Sequence, residues 1–322
     1  MKALRLLKGL AVCAALACAA SAALAETWPT RTVRFVVPFP AGTATDLAAR
    51  TVGQELQVKL GHPFVIDNRP GAGGSIAVME VVRAAPDGYT LLFSSNSAIS
   101  SNVALFKSLP YDPNRDFTPI AGVGLNALVL MVKGDFPTKD LAGFIAYAKA
   151  HPGKLTAGYG SSSSQVSISM LARMAGLDVV SVPYKGITQA VNDLLGGSID
   201  FTFVDIGNAI AQAKRGALRG LAVTSLAPNA LEPSWPPVAT TLPGYDITAW
   251  FAVVGPAGVP ADVVNKIHAD ITRVLAAPEM TEKFGAIGLV PQAMGPVQLK
   301  AFIADEIGKW QRLVKEADIE PQ

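Results

Sequence analysis

The sequence predicts an α/β protein of two lobes, each a parallel sheet with helices on both faces. Short β-branched runs alternate with helical patterns along most of the chain, the arrangement that buries strands between helices. The rhythm starts afresh after Lys133-Gly134-Asp135-Phe136-Pro137, which marks a passage from one lobe to the next. A length of 322 residues, 50% hydrophobic and 16% charged, supports two cores without disulfide or metal staples and fits neither a disordered nor a membrane-embedded chain.

The first segment reads as a processing signal. Lys2, Arg5 and Lys8 form a positive n-region, residues 10–20 an apolar run, and Ala23-Leu24-Ala25 a small-x-small cleavage site. The run is too short for a membrane anchor, so cleavage after Ala25 and an exported, periplasmic chain starting at Glu26 are expected. Acylation through Cys18 is the weaker reading, because Ala15-Leu16-Ala17 is a poor lead-in. Both cysteines, Cys13 and Cys18, lie in this signal, which excludes disulfides, thiolate catalysis and Cys-zinc sites from the mature chain. Without the three leading cations the balance of 27 positive to 25 negative charges becomes 24 to 25, a net −1 that offers nucleic acid no basic face.

A buried strand is expected at 32–37, then the loop Pro38-Phe39-Pro40-Ala41-Gly42-Thr43-Ala44-Thr45-Asp46 and a helix. Thr43-x-x-Asp46 fits a capping box, and Ala48, Val52, Leu56 and Leu60 recur every four residues until Gly61 ends the helix. Strand 64–66 leads to Asn68-Arg69-Pro70-Gly71-Ala72-Gly73-Gly74-Ser75 and a helix through Arg83. After a Pro86-Asp87-Gly88 turn, strand 89–93 opens into Ser94-Ser95-Asn96-Ser97. Strand 128–132 leaves the first lobe. Helices at 141–150, 163–174, 188–195 and 208–215 alternate with strands at 155–159, 179–182, 199–203 and 221–224 to build the second. Pro228, Pro233, Pro236, Pro237 and Pro243 mark a long irregular loop. Strand 250–254 and helices 261–275 and 296–315 close the chain. If this last section packs back on the first lobe, the chain crosses twice and makes a two-strand hinge. The expected domains are therefore 26–124 with 248–322, and 125–247.

Three loops join a strand's C-terminal end to a helix N-terminus: 41–46, 160–165 and 183–186. The first two are made of small and hydroxylic residues. Helix N-termini present unpaired N–H groups and partial positive charge, and in open α/β sheets ligands sit outside these strand ends. A Ser or Thr there also serves simply as a cap, so one loop decides nothing. Ser162-x-x-Gln165 is a second capping-box pattern, backed by Val166, Met170 and Met174. Catalytic equipment is missing from the pattern. Ser161 to Ser164 lack a Gly-x-Ser-x-Gly elbow, His62, His151 and His268 read as surface residues, no acid or His cluster has metal-ligand spacing, and Gly71-x-Gly73 lacks the third glycine and the phosphate-loop lysine. No catalytic residue, metal or cofactor is expected. Asp205 has two readings, an acceptor for a ligand amine or water and a cap for the next helix, and Asp200 and Thr202 face outward in the strand before it. Tyr184 is placed in the cleft, Lys185 in solvent, and Trp250 and Phe251 in core or hinge packing.

The chain resembles the substrate-binding proteins of tripartite tricarboxylate transporters, the Bug family. The resemblance rests on Pro38 to Asp46, on Asn68-Arg69-Pro70-Gly71-Ala72-Gly73-Gly74, and on Pro86-Asp87-Gly88-Tyr89-Thr90, Leu109-Pro110-Tyr111-Asp112-Pro113 and Val182-Pro183-Tyr184-Lys185-Gly186 in family order. It implies a type II periplasmic binding protein, two α/β domains on a two-strand hinge with a ligand cleft between them. It also implies capture of a small carboxylate (a di- or tricarboxylate, amino acid or aromatic acid), delivery to the membrane subunits of a transporter, and a monomer. A sensor component presenting the same ligand class to a signalling receptor is the alternative. By resemblance, the loop at Gly42 to Asp46 and the serines at 161–164 hold a ligand carboxylate through backbone N–H and hydroxyl groups. The candidate site comprises Phe39, Gly42, Thr43, Thr45, Asp46, Ser95, Asn96, Ser161, Ser162, Ser163, Tyr184 and Asp205. The chain departs from the family pattern at Thr43, where a second glycine is common, and at Val166, where histidine is common.

Overall fold

A computed structural model describes residues 28–321; the expected signal and its cleavage site lie outside them. The first series is β1 (Val33–Val37), α1 (Ala44–Leu60), β2 (Phe64–Asn68), α2 (Ser75–Val82) and β3 (Thr90–Ser95), followed by a π-turn (Ser97–Ser101), the short α3 (Asn102–Leu105) and β4 (Phe117–Lys133). The second is α4 (Leu141–Ala150), β5 (Leu155–Tyr159), α5 (Ser162–Ala175), β6 (Val179–Pro183), α6 (Ile187–Gly196), β7 (Phe201–Asp205), α7 (Ile206–Lys214) and β8 (Leu218–Val223). After the proline-rich stretch come β9 (Thr248–Pro256), α8 (Ala261–Leu275), α9 (Pro278–Ala286), β10 (Val290–Met294) and α10 (Pro296–Glu316).

The strands run in the order β2-β1-β3-β9-β4-β7-β5-β6, with β8 and β10 also pairing with β4. β1 lies parallel between β2 and β3, and β5 parallel between β6 and β7, while β9 is antiparallel to both its neighbours. β4 serves both lobes. Its residues 117–127 pair with β9, and its residues 128–133 with β7 and β8. The chain returns beside this crossing: Thr224 N donates to Leu128 O at 2.9 Å, Ile247 N donates to Thr224 O at 3.2 Å, and β9 follows. The strand expected at 128–132 is thus the second half of a longer one. Pro119, Gly122 and Gly124 hide the first half, and two register shifts accommodate them. The glycines let β10 lie close, since a Cβ on Gly124 would stand 2.7 Å from Val290 O. Neither α9 nor β10 was among the expected elements.

In the first lobe α1 and α8 cover one sheet face with Val52, Leu56, Ile267 and Ile271, and α2 with the start of α10 covers the other with Val78, Val81, Leu299 and Ile303. In the second, Phe144 and Leu171 of α4 and α5 pack on Phe201 and Phe203, while Val191, Leu194 and Ala209 of α6 and α7 pack on Val204. Each such side chain contributes roughly 1.5–3 kcal/mol by leaving water. Because both faces are covered, Thr202 does not face outward as expected; it is buried and its hydroxyl donates to Gly158 O at 2.7 Å. The last helix spans both cores. Ile303 and Ile307 belong to the first, Trp310 and Val314 to the second, and between them buried Glu306 Oε2 accepts from Trp250 Nε1 at 2.7 Å and Trp310 Nε1 at 2.9 Å.

Candidate functional site

Thr43 caps α1, its Oγ1 accepting from Asp46 N at 3.4 Å. The reciprocal half of the expected box is displaced by one residue: Asp46 Oδ2 accepts from Gly42 N at 2.9 Å, while Thr43 N turns to Pro40 O at 3.4 Å. Asp46 is fully engaged inside the lobe. Its carboxylate also accepts from Arg50 Nε at 3.0 Å and from Asn68 Nδ2 at 2.9 Å, and the same Asn68 amide donates to Phe39 O at 2.9 Å. Asn68 therefore braces the first loop from the neighbouring strand. On the other lobe the cap of α5 is Ser161, not Ser162. Ser164 N donates to Ser161 Oγ at 3.2 Å and Ser161 N to Ser164 Oγ at 3.1 Å, a complete capping box one residue earlier than expected. Four consecutive serines leave that register undetermined by pattern.

The serine loop also meets the first lobe. Ser162 Oγ lies 2.7 Å from Ser101 Oγ, and Asn96 Nδ2 donates to Ser163 Oγ at 3.0 Å. Tyr111 holds the π-turn by donating to Ala98 O at 2.9 Å, and burial pushes its phenol up to about 12. Gly73, at φ +62°, sits where a Cβ would fall 2.5 Å from the Phe106 ring, so the glycine-rich loop needs its glycine there.

Two adjoining cavities lie between the lobes and share Phe39, Gly160 and Ser161. The larger, about 380 Å³, is bounded by Gly71 to Gly74, Ser97, Asn102, Ser162, Tyr184 and Lys185. The hinge-side one, about 60 Å³, brings together Thr43, Thr45, Ser95, Ser163 and Asp205. Gly42, Asp46 and Asn96 stand outside both linings. Asn126 of β4 lines the hinge-side cavity and was not among the expected residues, although it is the one polar residue in the run 125–132.

The α1 and α5 N-termini both border the hinge-side cavity, and no Lys, Arg or His lines it. The first-turn N–H groups of Ala44, Thr45, Ser162 and Ser163 have no intrahelical acceptor, so two partial positive poles meet there. Asp205 caps α7, with Asn208 N donating to Oδ1 at 3.0 Å and Asn208 Nδ2 to Oδ2 at 2.9 Å, and it also borders the cavity. Burial pushes its carboxyl above the ordinary 3.8. Tyr184 Oη donates to Asp193 Oδ2 at 2.7 Å, and that bond pushes the phenol up to about 12. Lys185 is exposed but edges the larger cavity, and Val166 is buried in the second core. His151 is exposed, whereas His62 and His268 are half-buried rather than on the surface.

A mixed sheet shared by two lobes, with small-residue loops at the strand ends facing an interlobe cleft, defines the two-lobe periplasmic binding protein fold. The chain belongs to the tripartite tricarboxylate transporter family receptors, whose family model matches residues 48–319. It is 34% identical over 316 residues to protein BugT of Bordetella pertussis, 97% of each chain being covered. An R. palustris protein solved with adipate superposes with a TM-score of 0.88 at 32% identity, covering 92% of this chain and all of that one. MatC of Rhodopseudomonas palustris, solved with bound malate, does so at 0.83 and 32%, covering 89% of this chain and all of that one.

Proposed function

We propose that the protein is an exported, monomeric solute receptor that captures a small carboxylate in its cleft, returns it unchanged, and passes it to the membrane subunits of a tripartite transporter. The observation carrying this is the convergence of two helix N-termini, one per lobe, on a single hydroxyl-rich cavity. The same geometry that caps α1 and α5 leaves backbone donors for an anion. Three or four charge-assisted hydrogen bonds, at roughly 1.5–3 kcal/mol each, outweigh the cost of association and suffice for about −8 kcal/mol, a micromolar site. The malate and adipate held by the two solved relatives have the same chemistry. On this reading the domains are 26–124 with 248–322 and 125–247, and the ligand contacts are Phe39, Thr43, Thr45, Ser95, Ser161, Ser162, Ser163, Tyr184 and Asp205. Gly42, Asp46 and Asn96 act by positioning. Cleavage after Ala25 produces the mature chain.

The test is a thermal-shift screen of dicarboxylates, tricarboxylates, amino acids and aromatic acids beside the matching amides. Acids at one hundred times Kd add about 2.7 kcal/mol and raise the melting temperature by several degrees, and amides do not. Neutral sugars leading the screen, or a hit consumed on incubation, would overturn the reading.

A further inference from the structure

We propose that the hinge-side cavity reads a protonated amine on the ligand, with Asn126 Oδ1 and the Asp205 carboxylate as its acceptors, so that the favoured solutes are amino acids rather than plain dicarboxylates. This rests on the carboxylate reading above. The Asn126 side chain belongs to a residue 4% exposed, it borders the cavity, and no protein group meets its Oδ1. A buried acceptor left unpaired is costly, so a ligand donor placed there gains affinity. Asp205 stands opposite Leu128 on the paired strands, and Asn126 lies two residues from Leu128 on the same face of β4. Diagonal neighbours of this kind are about 7–8 Å apart along the backbone, within reach of one group that meets both side chains.

Charge selects the donor. Among the described residues no cation pairs with Asp205, and the cavity lining holds no Lys, Arg or His. Asn208 donates to both Asp205 oxygens, but a carboxylate offers about four acceptor sites and retains capacity toward the cavity. A second ligand carboxylate there would face a like charge with no counter-ion. A hydroxyl supplies one donor and no charge; an ammonium supplies three donors and the missing positive charge. The cavity's 60 Å³ holds a few water-sized groups, enough for an amine and a carboxylate on one carbon. The remainder of the solute extends past Phe39 and Ser161 into the larger cavity.

Calorimetric titration of the purified protein against matched acids tests this: aspartate, malate and succinate share one skeleton, glutamate and glutarate another, leucine and its desamino acid a third. In the series that binds best, the amine should bind about tenfold more tightly than its desamino partner, or better. In Asn126→Leu and Asp205→Asn the amine should lose more affinity than its desamino partner, so that the preference collapses toward one; asparagine keeps a capping side chain at position 205. A desamino acid binding as tightly as the amine to the unaltered protein overturns the inference, whether or not the variants fold. An unchanged preference in both folded variants overturns it too. Binding of no acid in any series overturns the carboxylate reading itself, a result distinct from the other two.

Discussion

The lobes touch at a place with no room for a side chain, which makes Gly207→Ala a sensitive probe of closure. Gly207 lies in the first turn of α7 in the second lobe, and Gly288 precedes β10 in the first. A Cβ on Gly207 would stand 2.4 Å from both C and O of Ile287 and 2.8 Å from Gly288 N. Those atoms are backbone and cannot rotate away. The carbon is about 1 Å short of an ordinary contact, and the relief available without unfolding either lobe is a small rotation about β4 and the return at Thr224 to Ile247. Overpacking of this kind costs about 1–3 kcal/mol. On the reading of a cleft that closes around its ligand, the open form escapes this contact, so the cost falls on the ligand-bound form and weakens Kd by about 5- to 150-fold. Titration with the acid giving the largest thermal shift measures this, and small-angle scattering should show a larger radius of gyration for the variant with ligand. Gly196→Ala is the control, since a Cβ at the exposed end of α6 meets nothing within 4 Å. Affinity within twofold of the parent in a folded Gly207→Ala protein would refute the reasoning, because the strain would then have been absorbed inside α7.

Three further predictions follow from groups described above. Asn68→Ala removes the donor to Phe39 O and Asp46 Oδ1; it should cost about 1–3 kcal/mol, lower the melting temperature by a few degrees and weaken ligand binding, and an unchanged melt with unchanged binding would sink the brace. Glu306→Leu strands two buried indole N–H groups at about 1–3 kcal/mol each, whereas Glu306→Gln keeps an acceptor oxygen, so urea unfolding followed by tryptophan fluorescence should rank leucine well below glutamine; equal stability would mean the shared oxygen holds nothing. Asp205 has a folded pKa raised by burial, so the folded state binds the extra proton, and this residue's contribution is favourable below the ordinary 3.8 and lost as pH rises through the folded value. Asp205→Asn should therefore melt higher than the parent at pH above the raised value, with the gap closing as pH falls toward the ordinary carboxylate range; a gap that does not change with pH would contradict it.

Much of the scaffold was legible because its signals are local. The capped start and glycine stop of α1, the span of α4 and the span of α8 follow from periodicity and end residues within one window. The first half of β4 was not, since Pro119, Gly122 and Gly124 look like breakers until β10 is seen lying across them. At the site, residue type pointed to loops that border the cavities but could not separate lining from bracing. Thr43 and Ser161 border a cavity, whereas Asp46, in the same motif, is held by Gly42, Arg50 and Asn68. Asn126 escaped notice because a single amide in an apolar strand has no pattern of its own; its significance comes from where the hinge places it.

The passage of one long strand through both lobes bears on the order in which the molecule can assemble. β9, the strand between β3 and β4, is supplied only once synthesis has passed residue 248, and both cores await α10, whose Trp310 and Val314 fill the second while Leu299 and Ile303 fill the first. Neither core is therefore complete while the chain is being made: β3 and α2 reach the β1-α1-β2 segment early with Leu91, Phe93, Val78 and Val81, but Ile267 and Ile271 of α8 arrive only near the end. Contacts so distant in sequence slow folding, since loop closure comes before the gain. Both cores therefore close late, when the C-terminal helix becomes available to fill them.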